Sequence, residues 1–572
     1  MGGILAQRCV ASRAASPRCC GAPAASVPDF GIDFCPTAVL PRAAFSTLAA
    51  MTHDTPPSHP ADPAPQPPQR QERASTGVPG LDDILGGGLP TDHLYLVEGT
   101  PGSGKTTLGI QFLRQGAAQG ETGLYVTLSE TAEELRTVAA SHGWDLDGID
   151  LFELVTEEGL SPDAEQSILH PSEIELGETT RGVMAAVERL RPARVVFDSL
   201  SEMRLLAQDP LRYRRQILTL KHFFRTRGVT VLLLDDQTAQ AGDVQLHSIA
   251  HGVIGLNHVL DEYGPEKRHL RVIKLRGVRF RGGEHDFDLS TGGLIVYPRL
   301  VASEHRGGFR TEIVSTGTGG LDEILGGGLS RGSSTLFMGP SGSGKTTTAL
   351  TCALAMLRRG QRVVYYLFDE GLGTLLHRCQ ALGIGIEPFI EGGQLRIVQL
   401  DPAEVTPGKF VHMVRDAVER QDARMVAIDS INAYIQAMPG AKSLLLQMHE
   451  LLSYLNQRGI VTVLILGQHG LAGESRNDVD LSYLSDTILL FRFFESRGRL
   501  LKAVSVVKSR TSRHELTIRE FRLGGQGGQG VEIGAALTDF EGVLGGTTAY
   551  AGRLPMLGDS AIVGHDTPLA AP

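Results

Sequence analysis

The chain has 572 residues, 41% hydrophobic and 21% charged, a balance that suits a packed globular protein of two large or several small domains. Its formal net charge of −10 argues against a nucleic-acid backbone as the main partner. No apolar run approaches the ~18 residues of a membrane-spanning helix. Glycine is in excess, 69 residues or about 12% against the usual ~7%, and it has no collagen period. That surplus predicts many turns, or loops where a ligand approaches the backbone closely.

Residues 1–74 are rich in Ala, Pro, Ser and Arg, with seven prolines between Pro56 and Pro68. Such a stretch buries too little apolar surface to offset chain entropy, so a disordered leader is expected. Its first 50 residues are Arg-rich and acid-poor, like an organelle transit peptide, but Met51 is favoured as the true start over Met1. Without a secretory apolar region, a cytoplasmic location is expected. Four of the six cysteines (Cys9, Cys19, Cys20, Cys35) lie here, while Cys352 and Cys379 stand alone in apolar, helix-like stretches. No spacing among them is that of a metal site or a disulfide framework, and Cys352 and Cys379 read as buried small hydrophobes.

The ordered sequence begins with TGVPGLDDILGGGLP at 76–90. An apolar run at Leu94–Val97 predicts a strand, and Gly99-Thr100-Pro101-Gly102-Ser103-Gly104-Lys105-Thr106-Thr107 follows it. This is the P-loop pattern at a strand-to-helix turn. Its glycines let successive N–H groups form an anion nest at a helix N-terminus. Lys105 would neutralise β- and γ-phosphates, and Thr106 would present its hydroxyl to Mg²⁺. A second run, Leu124–Leu128, leads to Glu130, a candidate for orienting or deprotonating water. That assignment rests on the expectation that this strand lies next to the P-loop strand; the plain alternative is an acid complementing a helix dipole. Thr131 with Glu134 forms a capping box that starts the next helix. A third run, Val195–Phe197, ends in Asp198, the Walker B position that holds the magnesium shell. A fourth run spans Val229–Leu234, and Lys274 and Arg276 then stand two apart on a strand, projecting from one face.

The rest repeats this unit. TGTGGLDEILGGGLS at 316–330 and GPSGSGKTT at 339–347 match the first copy at an offset of 240. MVAIDSI at 425–431, VTVLILGQH at 461–469 and VKSRT at 507–511 match at offsets of 231, 232 and 234. The second P-loop is therefore Gly339-Pro340-Ser341-Gly342-Ser343-Gly344-Lys345-Thr346-Thr347, with Thr346 and Asp429 as metal-shell candidates. Asp369 and Glu370 stand where Glu130 stands, and Lys508 and Arg510 where Lys274 and Arg276 stand. Four of the nine lysines thus occupy repeated positions, which favours phosphate chemistry over a solvated strand face. Five matched segments in one order mean a duplication, and the period is too long for a solenoid.

The expected organisation is a leader (1–74), two domains (75–303 and 311–541) with a polar join at 303–313, and a flexible tail (542–572). Continuous apolar runs alternating with helical patterns predict an α/β fold twice over, each a mostly parallel sheet covered by helices. ATP and Mg²⁺ are the expected ligands.

The lead-in, both P-loops, the strand-end acids, the Asp-Ser Walker B pairs and the K-x-R segments resemble the KaiC family within the RecA-like P-loop ATPases. The likeness covers about residues 75–541 and includes the closing IREFRLGGQGGQGVEIGAALTDFEGVL at 518–544. It implies a homo-hexameric double ring with ATP between subunits, and signalling partners of unknown identity. It further implies that Lys274/Arg276 and Lys508/Arg510 reach a neighbour's γ-phosphate as arginine fingers do. The first domain would be chiefly an ATPase and the second able to act as a serine/threonine autokinase. The chain departs from the family's clock members, which carry two adjacent glutamates after the second strand; here the places read Ser129-Glu130 and Asp369-Glu370. Their Ser-Thr phosphoacceptor pair aligns with Ser482-Tyr483, leaving Ser482 as the candidate acceptor and no two-site cycle to carry over. Two other readings remain. A DNA-dependent recombination ATPase is opposed by the net charge, and its basic clusters (Arg212, Arg214, Arg215; Lys221, Arg225, Arg227) are spaced like helix faces. A nucleotide-gated scaffold would use slow hydrolysis only to switch partner binding.

Overall fold

The structure, a computed structural model, describes residues 72–154, 171–236, 245–260, 265–305, 307–436, 441–468, 483–524, 530–544 and 549–550. Two nine-stranded sheets dominate it. In chain order the first contains β1 (Leu94–Gly99), β2 (Gly123–Thr127), β3 (Ile149–Glu153), β4 (Arg194–Asp198), β5 (Thr230–Asp236), β6 (Gly252–Val259), β7 (Lys267–Leu275), β8 (His285–Ser290) and β9 (Gly293–Tyr297). The second contains β10 (Ser333–Pro340), β11 (Arg362–Leu367), β12 (Leu395–Gln399), β13 (Ala423–Asp429), β14 (Val461–Gln468), β15 (Thr487–Ser496), β16 (Arg499–Ser509), β17 (Arg519–Leu523) and β18 (Val531–Ala536).

Both sheets share one order. The first runs β3-β2-β4-β5-β1-β6-β7-β8-β9, and the second β12-β11-β13-β14-β10-β15-β16-β17-β18. The strands up to β6 pair in parallel and the last three join antiparallel. The apolar runs are the inner strands because both their faces are covered: β1, β2 and β4 are buried along their whole length. One core lies on each face of each sheet. Cys352 and Cys379 are buried, and burial pushes their thiols up to about 12 and about 11.

One expectation fails here. β2 does not lie beside the P-loop strand β1, because β5 and β4 stand between them. The crossover through the helix Lys105–Ala118 skips two places that later strands fill, a long-range choice that no local pattern encodes. The composition boundaries also shift. Arg73 and Ala74, read as leader, pair with Pro90 and Leu89. In the stretch read as tail, Val543 is buried against Phe494 and Ala503, and Ala549–Tyr550 pairs with Phe540–Glu541. The rest of the leader, 1–71, lies outside the described residues.

The glycine-rich lead-in has an architectural cause. Asp82 accepts hydrogen bonds from Thr76 N–H at 2.9 Å, Thr76 Oγ1 at 2.7 Å and Ser75 Oγ at 2.6 Å. Asp322 repeats the pattern with Thr316 and Ser315. The two copies are fastened at more than the join. Gly408 N–H, in the first turn of the helix Pro407–Glu419, donates to Asp286 of β8 at 2.6 Å, and Lys409 pairs with Asp288 at 2.7 Å.

At the start of β4, Arg194 is a fully buried cation. It donates to Ser75 O at 2.7 Å, Phe112 O at 2.9 Å and Gln119 Oε1 at 2.9 Å, and pairs with Glu121. Met425 holds the equivalent place in the second copy, also buried. Arg194→Ala strands these acceptors and opens a cavity, so it should cost about 3 kcal/mol in urea unfolding of the full chain. Arg194→Met, which keeps the volume, should cost measurably less. Equal losses for the two variants would assign the role to the charge network alone.

Candidate active sites

Each P-loop joins a buried strand to a helix through glycines in the left-handed region. Gly102 and Gly104 have φ of 78° and 97°, and Gly342 and Gly344 of 75° and 108°. At the helix start nothing but hydrogen fits. A Cβ on Gly104 would lie 2.9 Å from Leu294 Cδ1, and one on Gly344 would lie 2.5 Å from the Phe521 ring. Left-handed glycines leading into a helix N-terminus make an anion nest. The hydroxyls of Thr100, Ser103 and Ser343 are buried in these loops without a hydrogen-bond partner among the described residues.

The lysines arch back over the loops. Lys105 Nζ donates to Gly99 O and Thr100 O at 3.0 Å each, and Lys345 Nζ to Gly339 O and Pro340 O at 2.8 Å each. Thr106 Oγ1 donates to Asp198 Oδ2 at 3.0 Å, and Thr346 Oγ1 to Asp429 Oδ2 at 2.7 Å. Tyr125 and Tyr365 donate to the same two oxygens at 2.6 and 2.7 Å. Burial pushes both aspartates up from the ordinary carboxylate range, although these hydroxyls oppose it. A buried carboxylate against a threonine hydroxyl, beside an anion nest, fits a hydrated Mg²⁺ bound with a nucleotide, since the cation would relieve the burial. Thr107 and Thr347 sit one residue deeper and are buried, with Thr107 Oγ1 3.3 Å from His142 Nε2.

Around this shared frame the two clefts differ. In the first, Lys105 also pairs with Asp236 at 2.7 Å. In the second, Gly467 stands at that place in the sheet register, with Gln468 beside it in the cleft lining, so Lys345 has no such carboxylate. Burial lowers Lys345 to about 8, despite the nearby Asp429. The acids are arranged the other way. Glu130 Oε2 is buried without a partner, and burial followed by the charges of Asp198, Glu134 and Asp236 raises its carboxyl. Glu370 is gripped bidentately by Arg378, at 2.9 and 2.7 Å. Asp369 accepts from the Ser430 hydroxyl. The second cleft encloses about 560 Å³ and gathers Lys345, Thr346, Asp369, Glu370, Arg378 and Asp429.

The basic pairs bond to groups outside the phosphate loops. Lys274 Nζ donates to the carbonyls of His247 and Ala250, and Arg276 Nη2 to Ser248 O at 2.8 Å. Lys508 Nζ donates to Ser485 O at 2.7 Å, and Arg510 stands 3.9 Å from Asp486. Neither Lys508 nor Arg510 lines the second cleft. Arg276 lies just past the end of β7, so this pair is only partly a strand pair. Ser482 lies outside the described residues.

Four residues of these sites escaped the sequence reading. Tyr125 and Tyr365 occupy matched positions in the duplication, which is the signal that marks them. Asp236 and Arg378 have no counterpart in the other copy, so repetition is silent about them.

Two comparisons with known proteins bear on these sites. A family model described as the KaiC ATPase matches residues 74–301 and again 314–536. The circadian clock protein KaiC3 of Synechocystis sp. is 27% identical over 490 residues, covering 84% of this chain and 95% of the relative. The circadian clock oscillator proteins KaiC of Prochlorococcus marinus and Parathermosynechococcus lividus are 27% and 28% identical, covering 83% and 88% of this chain and 95% and 92% of the relatives.

The lowered Lys345 gives the second cleft a pH signature. The ammonium is charged below about 8 and neutral above it, and bound phosphate favours the charged form. Above that pH, nucleotide binding must take up a proton, and affinity should fall as pH rises. Calorimetry on Lys105→Ala, at a pH of about 8.5 in two buffers of different ionisation enthalpy, should show proton uptake. Identical heats in both buffers would contradict it.

Proposed function

The chain belongs to the KaiC family of ATPases, and from that premise we propose that its two clefts bind Mg²⁺-ATP and have diverged in use. The first is the hydrolytic site; the second hydrolyses slowly and transfers phosphate to a hydroxyl of the chain itself. The observation that carries this reading is the contrast between Glu130, whose Oε2 has no partner among the described residues, and Glu370, held by Arg378. Bound Mg²⁺ would supply charge neutralisation at the β- and γ-phosphates, through Thr106 and Asp198 in one site and Thr346 and Asp429 in the other.

In the first cleft the nest and Lys105 hold the phosphates, and Glu130 is free to orient water and accept its proton. Its raised carboxyl keeps the proton more readily than a solvated glutamate, so hydrolysis should fall as pH drops toward that raised value. In the second cleft the carboxylate at the same place has both oxygens held by a guanidinium, which leaves it less free to orient water. That supports phosphoryl transfer to a serine hydroxyl, with Ser482 as the acceptor proposed from the family likeness.

A homo-hexamer is part of the proposal. Lys274/Arg276 and Lys508/Arg510 bond to groups outside their own phosphate loops, as groups serving a neighbour's nucleotide would. The exposed Leu205, Leu211 and Leu218 suit a subunit contact. A signalling or timing role is proposed from the relatives' printed names alone. Among the described residues no helix is long and apolar enough to cross a membrane.

Glu130→Gln should lower ATP hydrolysis by about 10² to 10⁴ while leaving nucleotide binding in place. Lys105→Ala and Lys345→Ala should each remove one nucleotide per chain. Unchanged turnover in Glu130→Gln would move the hydrolytic role elsewhere. In the Lys105→Ala background, Arg378→Val, which installs the first copy's residue Val138, should speed hydrolysis and reduce labelled phosphate retained from γ-labelled ATP. Retention should vanish in Ser482→Ala; label that survives that change, or none in the parent, would refute the acceptor.

A further inference from the structure

The second sheet has a charged edge far from its phosphate loop. Arg331 precedes β10, Arg362 begins β11, Arg424 is the second residue of β13, and Arg458 precedes β14. The P-loop and Asp429 stand at the opposite, carboxyl ends of β10 and β13. With Arg310 from the join, these four arginines line a bowl of about 550 Å³. Its carboxylates are Glu312 and Asp422, each already bound to one arginine: Arg331 at 2.8 Å and Arg424 at 2.6 Å. Arg362 donates to Gln421 O at 3.0 Å. Among the described residues, no carboxylate pairs with Arg310, Arg362 or Arg458. The bowl therefore carries an excess of positive charge in a chain whose net charge is −10.

The duplication supplies a control. The first copy has Thr91, Thr122 and Ala193 at the places of Arg331, Arg362 and Arg424. At the place of Arg458 it has Arg227, which pairs with Glu188 and stacks 3.7 Å over Phe223. The same sheet edge is thus built without a cluster of guanidiniums, so the fold does not require one. Crowded arginines repel one another unless an anion sits among them.

We propose that this bowl binds a compact polyphosphate anion. Guanidinium forks match phosphate oxygens in pairs and stay charged at any working pH. A concave wall of one sign focuses the field on a small ligand, whereas a nucleic acid would need a stripe of charge along the surface. Gln361 lines the bowl, its Oε1 has no hydrogen-bond partner among the described residues, and it offers an acceptor to a ligand hydroxyl or amine. A phosphorylated small molecule or inorganic polyphosphate would satisfy the arginines; a sugar- or base-bearing ligand would satisfy Gln361 as well. The site stands apart from both clefts and does not depend on how they are used.

The test uses the full chain with both P-loops saturated by a non-hydrolysable ATP analogue and Mg²⁺. Titration with inorganic tripolyphosphate should show one further site per chain. The double variant Arg362→Thr/Arg424→Ala should weaken it about tenfold or more. ATP turnover in that variant should match the parent, which also shows that it folds. A parallel titration with adenosine 3′,5′-bisphosphate separates the sources. Tighter binding that Gln361→Leu abolishes assigns a nucleoside phosphate; weaker binding assigns inorganic polyphosphate. No binding beyond the P-loops, or binding indifferent to the arginines, would overturn the proposal. So would an acidic peptide or a short oligonucleotide that binds the bowl more tightly than tripolyphosphate.

Discussion

The hydrogen bond from the first-turn threonine of each P-loop helix to the aspartate two strands away sets the terms for everything around it. Thr106 reaches Asp198 at 3.0 Å and Thr346 reaches Asp429 at 2.7 Å. For the helix after β1 to touch the end of β4, exactly one strand must lie between, and β5 fills that place. The strands must end level, so they are short and fully buried. The helix must begin tight against the sheet, so its preceding residue is a left-handed glycine with no room for a Cβ. The aspartate is buried and needs donors, which Tyr125 and Tyr365 supply from the strand beyond. One contact thus fixes strand order, helix start and the chemistry of the metal-shell carboxylate together.

Within that frame, the two copies have exchanged which group is tied down. The first copy ties the lysine, through Asp236, and leaves Glu130 Oε2 without a partner among the described residues. The second ties the glutamate, through Arg378, and leaves Lys345 without a carboxylate, since Gly467 holds the place of Asp236. A tied lysine would have to trade a carboxylate for any phosphate it met. A glutamate whose two oxygens are already held by a guanidinium has less freedom to turn toward another donor. Each tie is a single side chain on a shared scaffold, so duplication allowed the sites to drift apart without touching the fold.

What could be read in advance follows from range. The inner strands, the P-loops and the terminal aspartates are local patterns, and repetition made them unmistakable. Strand order is not local, which is why β2 was placed beside β1 when β4 and β5 intervene. Arg194 was invisible for another reason: an arginine in a strand normally marks an exposed face, and only the fold reveals four partners around this one. Arg378 lies eight residues beyond Glu370, a separation at which no helical pairing rule operates, because Glu370 sits in the turn ahead of the helix. Asp236 and Arg378 differ between the copies, so the repetition that marks the shared residues does not mark them.

The fastening between the copies gives their divergence a structural consequence. Asp286 of β8 receives His269 Nδ1 at 3.0 Å and Gly408 N–H at 2.6 Å. Burial alone would raise its carboxyl, but these donors hold it below the ordinary range, so it stays a charged cap on the helix Pro407–Glu419. That helix buries Phe410 and Val414 in one core with Val426 and Ile428 of β13, the strand that ends in Asp429. Leu300 and Ala302, the last apolar residues before the join, enter the same core. The antiparallel edge of the first sheet is therefore packed, through one helix, against the strand that carries the second site's metal-shell carboxylate. A close-packed path of this kind transmits displacement better than a flexible tether does, because its members have no slack to absorb it. Two clefts whose side chains are paired differently are thus joined by a packed helix rather than by the polar segment at 303–313 alone.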